Sequence, residues 1–164
     1  MKLSTKVTLT CNTKEWEKMK RRLERANKDV EVGWWNTMHP SGVPVASIVQ
    51  WQEEGFYNGP DSAFPGAYTP PRAFVRNNFM DSIPNLVENY STKFNMVMQG
   101  TLTKSSLYNS MKKDLEDLLK KTMLDFSDPA NSRTTVEIKG FNDPLIETGT
   151  TYDSIKSRLV PSTK

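Results

Sequence analysis

The chain has 164 residues, the length of one domain with a modest core. Hydrophobic residues make up 36%, charged residues 25%, and the mean hydropathy is -0.62, so much of the surface faces water or polar partners while enough apolar material remains to fold. Lys and Arg total 22 against 19 acidic residues, and a net charge of +3 is too slight to argue for nucleic-acid binding, while one cysteine and one histidine exclude an intrachain disulfide, a cysteine zinc cage and a His-pair metal site.

Leu3, Thr5, Val7, Leu9 and Cys11 alternate with polar residues, the period of a strand with one buried face. Asn12 followed by Glu15 has the spacing of a capping box, and Trp16, Met19, Leu23 and Ala26 then recur on one side, predicting a helix from about Thr13 to Lys28. Its other face, with Lys14, Lys18, Lys20, Arg21, Arg22, Arg25 and Lys28, reads as a solvated surface. VEVGWW, from Val30 to Trp35, alternates again and predicts a second strand paired with the first.

After the turn MHPSGVP, which holds the lone His39, Val45, Ile48, Val49 and Gln52 share one face of a short helix, with Gly55 placed to end it. The segment from Phe56 to Pro71 is rich in Gly, Pro and aromatics and has neither periodicity. It reads as a long loop, and long loops in small domains tend to carry function. Phe74, Val75, Phe79 and Ile83 predict a helix, with a kink or a fresh start at Pro84. Leu86, Val87, Tyr90, Phe94, Val97 and Met98 carry it to about Gln99, ahead of Gly100. Leu107, Met111, Leu115, Leu118, Leu119 and Leu124 mark another helix from about Thr103 to Phe126, so the two form a hairpin or a bent rod. Thr135 to Lys139 alternates and predicts a brief strand. Tyr152 to Val160 predicts a last strand or helical turn with Ile155 inward, and residues 161–164 a frayed tail. The expected fold is a single α+β domain over residues 1–164, a small mixed or antiparallel sheet packed against several helices.

Positive signs of catalysis are missing. Glu53 beside Glu54, and Asp114, Glu116 and Asp117, invite a test as paired acids, but both groups read as solvated helix faces. No dinucleotide, phosphate-loop, nucleophile-elbow or zinc-protease motif occurs, and neither a signal-like apolar run nor a stretch of about 18 apolar residues is found. The expectation is a non-enzyme without cofactor or metal, neither exported nor inserted in a membrane. Aromatics are more telling: Trp34, Trp35, Trp51, Phe56, Tyr57, Phe64 and Tyr68 crowd together, more than one small core normally hides. Trp34 and Trp51 are expected in the core. Phe56, Tyr57, Phe64 and Tyr68 are expected against a neighbouring subunit.

VEVGWW, ASIVQWQEEGFYNG, TPPRAFVRNNF and VEIKGFNDPLIETGTTYDSIKSRLV, in that order, resemble the neck or tail-completion (head-tail joining, virion morphogenesis) proteins of long-tailed double-stranded DNA bacteriophages. Trp51, Glu53 and Gly55 match a W-x-E-x-G element, and Pro70, Pro71, Arg72, Phe74 and Arg76 match PPRPFLR. Pro144, Leu145, Ile146, Thr148, Gly149, Ser154 and Ile155 match the element built around PLI-x-TG and a later SI. The chain departs from the pattern at Ala73 and Val75, at Thr151 and Tyr152, and in the long 57–69 loop, which bears on partner contacts more than on the fold. The resemblance implies a ring, commonly of six subunits, in the virion neck, touching neighbouring neck and tail proteins while DNA passes through without sequence-specific binding. Assembly would take place in the host cytoplasm. Tail terminator and head closure are alternative positions in the same connector. A DNA-binding module using the Lys14 to Lys28 helix, or a hydrolase relying on Glu53 or Asp114, are the rivals from other classes. Arg72 and Arg76, four apart, read either as clamps for a neighbour's carboxylates or as ordinary helix-start residues.

Overall fold

The computed structural model describes residues 13–24, 28–62, 64–146 and 148–162. The strand expected at Leu3 to Cys11 lies outside them. In chain order the elements are α1 (Thr13–Glu24), β1 (Lys28–Gly33), α2 (Val45–Glu54), β2 (Phe56–Tyr57), β3 (Tyr68–Thr69), a π-helical turn (Val75–Phe79), α3 (Met80–Gln99), α4 (Lys104–Asp125), α5 (Arg133–Lys139), α6 (Thr150–Asp153) and β4 (Lys156–Pro161). The fold is α+β, with two small antiparallel sheets set against helices.

β1 pairs antiparallel with β4 from Lys28↔Pro161 to Gly33↔Lys156. Among the described residues the partner of β1 is the segment Lys156–Pro161, and the pairing expected with Leu3 to Cys11 lies outside the described residues. The final segment is both things expected of it in turn, a short helix and then a strand, and the strand reaches Pro161 where fraying was expected. Directly opposed Glu31 and Arg158 form an ion pair at 2.8 Å, and the Arg158 guanidinium lies 4.4 Å from the Trp35 ring centre. The sheet is fastened to α4 by Glu116, whose Oε1 accepts from both the backbone N–H and the hydroxyl of Ser157 at 2.6 Å. Burial alone would push the Glu116 carboxyl upward. The two Ser157 hydrogen bonds and the charges of Lys156 and Lys120 outweigh that and hold it below the usual carboxylate range.

α3 and α4 form a helical hairpin. Gly100 takes the left-handed conformation (φ 82°) that ends α3, donating back to Val97, and Thr103 caps α4 by accepting from the Ser106 N–H at 3.2 Å. Tyr90, Val97 and Leu107 are buried between the two helices, and the Tyr90 hydroxyl donates to Asp114, which also faces Lys93 at 3.7 Å. α3 runs through Pro84 without a fresh start. A π-helical turn at Val75–Phe79 leads directly into α3. The carbonyl of Met80, which Pro84 deprives of a donor, belongs to an exposed residue that water can reach.

Two expectations on local structure are overturned. Thr135 to Lys139 is helical, not extended: the Ser132 hydroxyl accepts from Thr135 N–H at 3.1 Å to start α5, and left-handed Gly140 (φ 79°) ends it. Those caps outweigh an alternation that signified no buried face, since Ile138 is 65% exposed. The described part of α1 is Thr13–Glu24, Lys28 belongs to β1 rather than to that helix, and Trp16, expected on its inner side, is 54% exposed.

The main core holds Val45, Val49, Phe74, Phe79, Leu119, Met123, Phe126 and Ile155. Phe74 meets Trp34 and Phe126 edge-on, each at 6.3 Å between ring centres. Val45 and Ile155 are fully buried, so α2 and the start of β4 enter the same apolar centre as α4.

Candidate functional site: a junction of three sequence motifs and an aromatic hairpin

Trp51-x-Glu53-x-Gly55, Pro70-Pro71-Arg72-x-Phe74 and the Pro144-to-Ile155 element lie far apart in sequence and meet in space. Gly55 has φ 77° and ψ 157°, an extended left-sided conformation that is essentially glycine's alone, rather than the left-handed helical one expected of a helix stop. A Cβ there would stand 2.9 Å from the Pro71 ring and 2.7 Å from the Tyr68 hydroxyl, so the close approach of the two motifs also requires glycine.

Glu53 reaches from α2 to the start of the π-helical turn, where its carboxylate accepts from the backbone N–H of Val75 at 2.6 Å and of Arg76 at 3.4 Å. A negative group at a helix start satisfies orphan donors and favours the helix dipole. Glu53 is thus a capping group and not part of a solvated acid pair. Its neighbour Glu54 points elsewhere, accepting from Gln50 at 3.3 Å.

Arg72 sits at the centre and is 9% exposed. Its backbone N–H donates to the Gln52 carbonyl at 2.5 Å; Nη1 donates to Gln52 Oε1 at 3.1 Å and to the Pro144 carbonyl at 3.0 Å, and Nη2 to Asn131 Oδ1 at 3.1 Å. Buried before the first helical turn and engaged by its own chain, Arg72 shares no exposed helix face with Arg76. Arg76 is exposed. Burial pulls the Arg72 guanidinium below its ordinary range.

The third motif is held by its own turn. Asp143 Oδ1 accepts from Leu145 and Ile146 N–H, each at 3.1 Å, and the Asp143 carbonyl accepts from Asn131 Nδ2 at 3.0 Å. Thr148 Oγ1 lies 3.4 Å from His39 Nε2 and donates to Thr150 Oγ1 at 2.9 Å; left-handed Gly149 (φ 77°) opens α6. Trp34 Nε1 donates to the Thr151 carbonyl at 2.7 Å, and the Ser154 hydroxyl donates to the same oxygen at 3.2 Å just before fully buried Ile155.

The long 56–71 segment is more ordered than a loop. Phe56 pairs with Thr69 and Tyr57 with Tyr68 in a two-residue ladder, extended by Asn58 N–H to the Ala67 carbonyl at 2.8 Å and Gly66 N–H to the Asn58 carbonyl at 2.9 Å. This hairpin holds its aromatics outward. Tyr57 is 74% exposed, Tyr68 53% and Phe64 42%, while Phe56 is half-buried. Trp51 joins them: expected in the core, it is 45% exposed and lies 6.3 Å from the Phe56 ring centre. At about 100° per residue it falls roughly 120° from the stripe that buries Val45 and Val49, so helical spacing alone places it outside.

Among the described residues no group of three or more His, Cys, Asp or Glu is placed to hold a metal ion, and no helix is long and apolar enough to cross a membrane. Gln52, Asn131 and Asp143 join the motif residues at the junction without having been singled out in the sequence. In the sequence Gln52 stands only as one member of a helical stripe. Comparisons with known protein families, with curated proteins and with solved structures find no match to this chain.

Proposed function

We propose that this chain is a structural protein of the neck of a long-tailed double-stranded DNA phage, in the tail-completion or head-tail joining position, acting as one subunit of a ring through which DNA passes. One observation carries the reading: the three motifs that resemble that family, which lie far apart in sequence, with 72 positions between Arg72 and Pro144 alone, converge on one hydrogen-bonded junction. Motifs matched by chance along a sequence have no reason to touch.

The hairpin gives the ring a physical means. It is anchored in the junction through Gly55 and Pro71, and it presents Tyr57, Phe64, Tyr68 and nearby Trp51 to the outside. Exposed aromatics on a rigid hairpin bring large contact area at small entropy cost, and contact with a different patch on the next copy closes into a ring when the rotation divides a full turn. Tail terminator and head closure are variants of the same reading. The near-neutral charge of +3 suits a channel that lets DNA slide, since every neutralised phosphate would add salt-sensitive grip.

The test is assembly. The purified chain, alone and mixed with the neck and tail proteins encoded beside it, is examined by mass measurement and electron microscopy. Rings, or incorporation into a joined head and tail, are expected. Strict monomers under both conditions, together with normal joining of heads to tails when the gene is deleted, would overturn the proposal.

A further inference from the structure

Arg72 is a buried cation with no carboxylate beside it among the described residues. Its side-chain partners, Gln52 Oε1, the Pro144 carbonyl and Asn131 Oδ1, are all neutral, and its Nε–H, closed off from solvent, has no acceptor. A guanidinium has five N–H donors, so these three bonds leave Nε–H and one Nη2–H unspent on adjacent nitrogens. That edge of the group matches the two oxygens of a carboxylate. Neutral oxygens solvate a buried charge in part but do not neutralise it, and such a charge favours any arrangement that supplies an anion.

The surroundings are built for one. Arg72 lines a cavity of about 390 Å³ between α2, the β2–β3 hairpin, α5 and the segment from Pro144 to Tyr152. His39 and Lys139 line it too, and among its described lining residues there is no Asp or Glu. Ile48, Phe56 and Phe64 give it an apolar wall, suited to a carboxylate on a short hydrocarbon stem more than to a fully hydrated inorganic anion.

We propose that this cavity is a carboxylate receptor, with Arg72 as the group that pairs the ligand. The carboxylate enters beside the apolar wall and engages Nη2 first, because Nε is closed to solvent in the free chain. The same chemistry is offered by a free short-chain carboxylic acid or by a Glu or Asp side chain of a second copy of this chain.

Thermal unfolding of the full-length chain in sodium acetate and in sodium chloride at equal ionic strength and pH 7 tests it. A saturable rise in Tm of about 3 °C is expected in acetate alone. Gln52→Glu brings a carboxylate to Arg72 from within, at the place of an oxygen now 3.1 Å from Nη1. It should raise Tm in chloride and erase the acetate increment. Asn131→Asp serves the same purpose should Gln52→Glu fail to fold. Equal Tm in the two salts for the unmodified chain, or an acetate increment undiminished in the folded variant, would overturn the proposal. The source is read separately by sedimentation: weakened self-association of Gln52→Glu assigns the carboxylate to a neighbouring copy, and unchanged self-association assigns it to a free acid. Because binding is read on the isolated chain, its outcome is independent of whether rings form.

Discussion

The guanidinium of Arg72 donates to the backbone carbonyl of Pro144 at 3.0 Å, joining a segment near the middle of the chain to one close to its end. The same side chain holds Gln52 and Asn131, so one residue ties α2, the loop before α5 and the Pro144 turn to the start of the α3 helix. Replacing Arg72 by Leu strands three acceptors in a buried place. A loss of about 3 kcal/mol in urea unfolding is expected, and Arg72→Lys, which keeps the charge but not the planar fork, should recover less than half of it.

Gly55→Ala should cost about 2 to 4 kcal/mol, because the new methyl group meets both a forbidden backbone region and the Pro71 ring 2.9 Å away. Gly42→Ala is the control. Its φ, 82°, is also positive, but nothing lies within 4 Å of the added carbon, so its loss carries a backbone penalty without a steric contact. Equal losses in denaturant titrations of the two variants would show that the contact with Pro71 contributes nothing.

Phe74 and Trp51 look alike in sequence and differ in place. Phe74 is 1% exposed between Trp34 and Phe126, and Phe74→Ala should cost about 3 to 5 kcal/mol. Trp51→Ala should cost about 1 kcal/mol or less in the isolated chain, since the ring is 45% exposed. Chemical denaturation of both variants checks the ordering, and a Trp51 loss as large as that of Phe74 would return it to the core.

What could be read from the sequence follows from how local the deciding contacts are. The two helices α3 and α4 were legible because Gly100, Thr103 and the leucine spacing act within a few residues of each other, whereas their spacing left a hairpin and a bent rod equally open. α5 was misread because Val136 and Ile138 alternate by chance, although Ser132 and Gly140 bracketed the segment at helix-capping positions. The pairing of β1 with β4 joins Lys28 to Pro161, and no local pattern distinguishes that partner from another alternating segment. At the junction, the motif residues were identified through family resemblance, whereas Asn131 carried no signal and Gln52 only that of a helical stripe. Their side chains matter only because the fold brings Arg72 to them.

Glu116 gives the β1–β4 sheet an acid-sensitive fastening. Its carboxyl titrates lower in the folded chain than in the unfolded one, so the stability it contributes is present above the unfolded pKa of about 4.3 and is lost as pH falls through the folded value. Glu116→Gln should therefore be less stable than the parent at pH 7, with the gap closing as the pH is lowered past 4.3 toward 3. Urea midpoints measured at several pH values check this, and a gap that stays constant to pH 3 would assign Glu116 no ionic role.

The hairpin aromatics separate folding from assembly. Tyr57 and Phe64 are exposed, so replacing both by Ser removes little buried area and should shift monomer stability by about 0.5 kcal/mol or less. Tyr68 is left in place because its hydroxyl lies next to Gly55, and the ladder from Phe56 to Thr69 is left whole. If these side chains form the contact between copies, the double variant should stay monomeric at concentrations where the parent assembles, with an unchanged denaturation midpoint. Apparent subunit affinity should fall about 100-fold, since two aromatic anchors at an interface each commonly carry more than 1 kcal/mol. Sedimentation across a concentration series measures it. Undisturbed assembly by the variant would move the subunit contact off the hairpin while leaving the Arg72 junction as the reason the hairpin stands where it does.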